Sequence, residues 1–260
     1  MSTNSFAQIL SVIDTLTGPA GCPWDKEQTP LSLCDYVIEE CFELVEAIRK
    51  NDVSEIAEEL GDVLFLLLFI GRYLDREHPD FLENALTGNV AKMIRRHPHV
   101  YTSEQAADVP QVLQNWEEIK KQEKAEAHKD PGIFASLPGS LPPLLKAYRL
   151  NSKAARHGFT WPSNEDQERK VQEEWQEVQE ALHGGTKAEQ EEEFGDYLFS
   201  LVEYGRRRGI KANAALAMAN TKFLTRFQSM EHLARERGLE LDSMTQAEMD
   251  ILWDEVKKKQ

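Results

Sequence analysis

The sequence predicts an all-α protein made of two tandem helical bundles. Three observations carry that prediction. Apolar residues recur at helical spacing through most of the chain, with no strand-like alternation. A run rich in proline and glycine, 128–143, divides the chain near its middle. Above all, one acidic pattern is written twice: EECFELVEA from Glu39 and ELGDVLF from Glu59 recur 134 residues later as EEWQEVQEA from Glu173 and EFGDYLF from Glu193. The expected division is a helical domain over 1–127, a linker over 128–143 and a second helical domain over 144–260.

Each element follows from local signals. A first helix is expected over Phe6–Leu16, closed by Gly18-Pro19 and Cys22-Pro23. Thr29-Pro30 reads as an N-cap with proline at the first helical position, opening a helix to Lys50. Asp52 with Glu55 has the capping-box spacing for a helix ending near Asp75. Further helices are expected over Phe81–Arg96 and Gln111–Glu126. In the second half the expected helices are Leu144–His157, Glu165–His183, Lys187–Arg208, Ala212–Arg237 and Gln246–Lys258, with Thr186 and Glu189 as a second capping box.

Bulk properties narrow the function. A formal net charge of −15 opposes a nucleic-acid polymer as partner. Three cysteines without a framework spacing point to reduced thiols and a cytoplasmic location, and no signal peptide is visible at the start. The apolar run from Val63 to Ile70 is too short to span a membrane. A helix apolar on every side needs cover on every side, so this run and its repeat near Tyr197–Val202 predict a homodimer.

Helix geometry brings the acids together. Glu43 and Glu59 lie eight residues to either side of Asn51, and Glu40 and Asp62 lie eleven. In an antiparallel helical hairpin each pair stands at one height, about 12 Å and about 16 Å from the bend. The i,i+3 spacing puts Glu40 with Glu43, and Glu59 with Asp62, on single faces. Around Gly185 the same arithmetic assembles Glu174, Glu177, Glu193 and Asp196. Four converging carboxylates repel one another unless a cation joins them. All-oxygen donors favour Mg²⁺, with Mn²⁺ a usual substitute. The competing view, a solvated acidic face, predicts interspersed lysine and arginine, and 39–46 and 58–62 contain none. Glu55 and Glu189 are explained by capping, and Glu46 and Glu180 stand one turn further along the acid face.

Cations and aromatics recur as well. Lys222 with Arg226 and Lys92 with Arg96 are i,i+4 pairs suited to phosphates. Trp253 with Lys257 and Trp116 with Lys120 pair an aromatic face with a cation. Trp24 and Trp161, ahead of the acidic helices, read as core or pocket wall. The run Arg95-Arg96-His97-Pro98-His99 reads as a helix end with phosphate-facing or acid-paired side chains rather than a zinc site, and the isolated Glu180-x-x-His183 is set aside.

EExxE followed by ExxD, with CPWDKEQT at 22–29 and RRHPHV at 95–100, resembles the MazG nucleotide pyrophosphohydrolases in their tandem form, over nearly the whole chain. The resemblance implies hydrolysis of a nucleoside triphosphate to monophosphate and pyrophosphate, Mg²⁺ dependence, broad base tolerance and homodimers. It implies that Glu174, Glu177, Glu193 and Asp196 hold magnesium, that Lys222 and Arg226 meet phosphates, and that Trp253 and Lys257 complete the nucleotide site. Lys170 stands one turn before Glu174 where the first copy has Tyr36: as a phosphate contact beside Glu173 at the nucleotide site it favours the C-terminal copy as the working one, and the alternative is that it pairs with Glu173 or Glu174. A nucleotide-sensing regulator with one silent copy, or a pyrophosphatase of narrower substrate range, are the alternatives.

Overall fold

In the computed structural model of the chain, residues 3–102, 106, 108–126 and 132–259 are described, and every regular element among them is a helix. Of the expected linker, 128–131 fall outside the described residues. The chain forms two compact units, Met1–His128 and Lys129–Gln260.

The first unit contains α1 (Thr3–Leu16), α2 (Pro23–Glu27), α3 (Cys34–Lys50), α4 (Val53–Asp75), α5 (Phe81–Arg96), α6 (Pro98–Tyr101) and α7 (Val109–Glu126). Its core is Ile13, Leu33, Leu68 and Phe69, flanked by Ile9, Leu10, Phe65 and Leu82. Each such side chain contributes roughly 1.5–3 kcal/mol on burial. The run 63–70 divides between two surroundings: Val63, Leu68 and Phe69 are buried, whereas Leu67 is half exposed. Gly71 lets α5 approach, since a Cβ there would stand 2.8 Å from Leu82 Cδ1. Asn51, left-handed at φ 58°, turns the chain between α3 and α4 and makes them a hairpin.

Two local expectations are corrected. The α3 helix starts at Cys34, not at Thr29-Pro30. Thr29 N–H donates to Ser32 Oγ at 2.9 Å and Ser32 N–H donates to Thr29 Oγ1 at 3.1 Å, which closes a separate turn ahead of the helix. At Asp52 half the capping box forms: its carboxylate accepts from Ser54 and Glu55 N–H, while the Glu55 carboxylate takes Lys50 at 3.4 Å. The short helices α2 and α6, each opened by a proline, replace what the sequence reads as punctuation.

The second unit contains α8 (Pro143–Arg156), α9 (Asn164–Gly184), α10 (Lys187–Arg207), α11 (Ala212–Glu236), a 3₁₀ turn (Leu241–Ser243) and α12 (Gln246–Lys259). The α9–α10 hairpin turns at Gly185, and α10 opens with the full Thr186–Glu189 capping box. A buried bond from Gln167 Nε2 to Ser200 O, 3.0 Å, ties the two helices together. α11 and α12 pack through Met230, Ala234, Leu252 and Val256. Lys153 on α8 donates to Ile133 O at 2.9 Å, which ties that segment to the helix.

Candidate functional site

The two hairpins each gather acids at one height. Glu40, Glu43 and Glu59 offer carboxylate oxygens that all lie within 4.8 Å of one another, and so do Glu174, Glu177 and Glu193. Glu40 and Glu43 come from α3 and Glu59 from α4; Glu174 and Glu177 come from α9 and Glu193 from α10. Asp62 and Asp196 stand outside these close groups of three, although both belong to the same electrostatic neighbourhoods. Each quartet is therefore three converging acids with a fourth beside them.

The crowding registers in proton affinity. Burial, then Asp62, Glu43 and Glu59, push Glu40 up from the ordinary carboxylate value. Burial, then Glu43, Glu58 and Asp62, do the same to Glu59. In the second cluster burial, then Glu177, Asp196 and Glu174, raise Glu193. These are carboxylates held closer than their charges favour, which is the state a cation relieves.

The second cluster has a cation of its own. Lys170 Nζ lies 2.8 Å from Glu173, 2.9 Å from Glu174 and 3.8 Å from Glu177. Its bonds to Glu173 and Glu174 raise its pKa, so it stays charged. Glu174 is buried beneath it at 7% exposure, whereas Glu40 at the matching place is half-buried. In the first cluster Tyr36 replaces Lys170, and its ring meets the ring of Trp24 edge-on at 5.7 Å.

The other expected residues lie as follows. Lys222, exposed, and Arg226, half-buried, stand on α11; Trp253 and Lys257 stand on α12. Trp253 packs on Phe223 at 5.4 Å and against the α11–α12 core, so part of its ring faces protein. In the first unit Arg96 is held by Glu123 at 2.6 Å, and Arg95 takes the same carboxylate at 2.6 Å. These arginines, with burial opposing them, hold Glu123 below its ordinary value. Lys92 is half-buried on α5, the Trp116 ring lies tilted against that of His97 at 5.8 Å, and Lys120 pairs with Glu117 at 3.2 Å. Glu46 pairs with Lys50, Glu180 accepts from Gln176, and His183 Nδ1 faces Gln179 O within its own helix.

Two features escape the sequence. Glu123, the clamp on Arg95 and Arg96, comes from a helix whose register against α5 no local pattern announces. A surface cavity of about 340 Å³ beside Lys170, walled by Trp161, was foreshadowed only by the tryptophan's place ahead of the acidic helix.

Comparison with known proteins places these features in context. Residues 28–101 match the family model of the MazG nucleotide pyrophosphohydrolase domain. The chain is 35% identical over 260 residues to the nucleoside triphosphate pyrophosphohydrolase of Escherichia coli strain K12, covering 99% of this chain and 98% of that protein. It is 37% identical over 253 residues to the nucleoside triphosphate pyrophosphohydrolase/pyrophosphatase MazG of Thermotoga maritima, covering 97% and 95%. It is also 42% identical to YabN of Bacillus subtilis, an uncharacterized protein of which it spans 52%.

Proposed function

The chain belongs to the MazG nucleotide pyrophosphohydrolase family, and on that premise we propose that it hydrolyses nucleoside triphosphates to monophosphate and pyrophosphate with Mg²⁺. The observation that carries the reading is the pair of three-carboxylate clusters at matched positions of two helical hairpins. The donor set fits the metal: oxygens only, from converging acids whose proton affinity is already raised. Glu174, Glu177 and Glu193, with Asp196 alongside, would hold the ion in the second unit; Glu40, Glu43, Glu59 and Asp62 are the equivalents in the first. Bound there, magnesium supplies charge neutralisation for the phosphates, and Mn²⁺ is a usual substitute.

The chain's own groups do the rest. Lys170 and Glu173 border the cluster, and Lys222, Arg226 and Lys257 supply cations for the leaving pyrophosphate, with Trp253 anchoring α12. Water attacks the α-phosphorus, the bond to the bridging oxygen breaks, and the water's proton passes to Glu177 or Glu193. The C-terminal copy is the working one in this reading, because Lys170 faces its acids while the first copy has Tyr36. Lys92, Arg96, Trp116 and Lys120 are the first unit's equivalents of these cations and of the aromatic face. Base specificity is broad, and the half-exposed apolar side chains of α4 and α10 form a homodimer contact. Among the described residues no helix is long and apolar enough to cross a membrane, and the three free cysteines suit the cytoplasm.

Incubation with ATP and Mg²⁺ tests the chemistry. AMP and pyrophosphate are expected, and ADP with orthophosphate would overturn it. Glu193→Gln should lower turnover at least about a hundredfold, as loss of a transition-state contact does, while Glu59→Gln should leave most of it.

A further inference from the structure

The α9–α10 hairpin is pinned at two places, and its acids lie between them. One is the turn at Gly185. The other is the bond from Nε2 of the fully buried Gln167 to Ser200 O, 3.0 Å. Gln167 stands seven residues before Glu174, and Ser200 seven after Glu193. The bond therefore lies two turns, about 10 Å, beyond that pair of acids. Gln167, Glu174 and Val178 are buried on α9 at i, i+7 and i+11, so the amide and the acid share one face of the helix.

At the matching place of the first unit the contact is apolar. Counted back by the 134 residues of the repeat, Gln167 and Ser200 become Leu33 and Leu66. Leu33 belongs to the first unit's core, and Leu66 packs against that core. One turn further along α10 the exchange recurs: Glu203, held by Arg206 at 2.6 Å, stands where the first unit buries Phe69.

A glutamine buried here is not the choice that favours folding. Its Oε1 is buried and meets no hydrogen-bond partner among the described residues. An unmet buried acceptor costs stability that a leucine does not. What a buried polar group supplies instead is register. Apolar packing loses uniqueness before it loses stability, whereas a hydrogen bond weakens steeply once bent or stretched. The acids need that restraint. Their charges push α9 and α10 apart, and Mg²⁺ demands oxygens at about 2.1 Å in near-ideal octahedral geometry.

We propose that Gln167 is a positioning residue for the metal site of the second unit: bonded to Ser200 O, it holds α9 and α10 at the register in which Glu174, Glu177 and Glu193 take an ion. This rests on the metal-dependent function proposed above and adds to it a residue that touches neither ion nor substrate. The acids of the first unit also converge, over Leu33 and Leu66, so the bond is not what gathers them. It sharpens a cluster that the hairpin has already made.

The test uses full-length Gln167→Met, which keeps the length of the side chain and loses its donor. A Glu40→Gln/Glu59→Gln background removes the first unit's acids from the titration. Three readouts separate positioning from packing. In chelator, Tm should hold or rise. Mn²⁺ titration followed by electron paramagnetic resonance, with no nucleotide present, should give a dissociation constant about tenfold higher or more, the scale of losing a group that orients metal ligands. The Mg²⁺ concentration for half-maximal ATP turnover should rise by the same factor, while KM for ATP at saturating Mg²⁺ holds. Unchanged Mn²⁺ affinity would overturn the proposal. So would a loss of affinity together with a lower Tm in chelator, because ordinary packing damage gives that result. Should the methionine variant not fold, Gln167→Leu, which copies Leu33 of the first unit, carries the same test. A parent in this background that binds no Mn²⁺ would instead overturn the metal reading itself, an outcome separate from any effect of position 167.

Discussion

Glu40 and Glu174 occupy the same place in the repeated motif, and the structure predicts that neutralising them has opposite effects on the metal-free protein. Glu40 faces Asp62, Glu43 and Glu59, with Tyr36 where the second cluster has Lys170. Two like charges 4.8 Å apart, the outer limit of the cluster, repel by about 1 kcal/mol in water and about 3–4 kcal/mol at the screening typical near a protein surface. The site is open to solvent on one side, so Glu40→Gln should stabilise the first unit by about 1 kcal/mol, a few degrees in Tm. Glu174 is buried under Lys170, 2.9 Å away. Glu174→Gln removes one partner of that pair and should cost about 1–3 kcal/mol. Magnesium at a hundredfold over its Kd should add about 2.7 kcal/mol to the parent, and a variant that weakens binding tenfold should keep about half of that. Thermal melts in chelator and in magnesium measure all of these. A lower Tm for Glu40→Gln in chelator, or a higher one for Glu174→Gln, would refute the electrostatic argument; a full magnesium response in both would refute the metal sites.

The pH dependence has a definite sign. Glu40, Glu59 and Glu193 bind protons more tightly folded than at the ordinary value of 4.5, so their ionisation opposes folding. The penalty is absent below 4.5 and complete above their raised values, so metal-free Tm should fall as pH rises through that window. The double variant Glu40→Gln/Glu59→Gln should flatten the slope, and an unaltered slope would contradict the assignment. Glu189 serves α10 as a cap, its carboxylate accepting from Thr186 N–H at 2.7 Å. Thr186→Ala should therefore cost about 1 kcal/mol and leave kcat unchanged; a collapse of kcat in a folded variant would place this turn in the site.

The acids were legible because helices are periodic. Once Asn51 and Gly185 are read as turns, counting eight and eleven residues fixes heights, and i,i+3 spacing fixes faces. That arithmetic places Glu40, Glu43 and Glu59 together without tertiary information, and overstates only Asp62 and Asp196, which stand just outside. What spacing does not supply is whatever depends on a partner far along the chain. The ring of Trp253 lies against Phe223, thirty residues earlier, and Arg96 pairs with Glu123. The early start expected for α3 failed for a local reason, since Thr29 and Ser32 bond each other and release the helix four residues later.

The same distinction explains how one motif yields two different sites. The acids are fixed by spacing, and the repeated pattern carries them at matched positions in both units. The residues around them are fixed by packing, so they are free to diverge, and one exchange, Tyr36 against Lys170, changes two properties together. In the first unit the aromatic ring lies against Trp24 and leaves the carboxylates to repel one another. In the second the ammonium quiets Glu174 and joins the cavity that Trp161 walls. A lysine there does for the metal-free cluster part of what a divalent ion does for the loaded one. If an ion took over the carboxylates as proposed above, that ammonium would be left facing any phosphate bound beside it. Electrostatic relief and substrate capture would then share one side chain, Lys170, where the first unit has Tyr36.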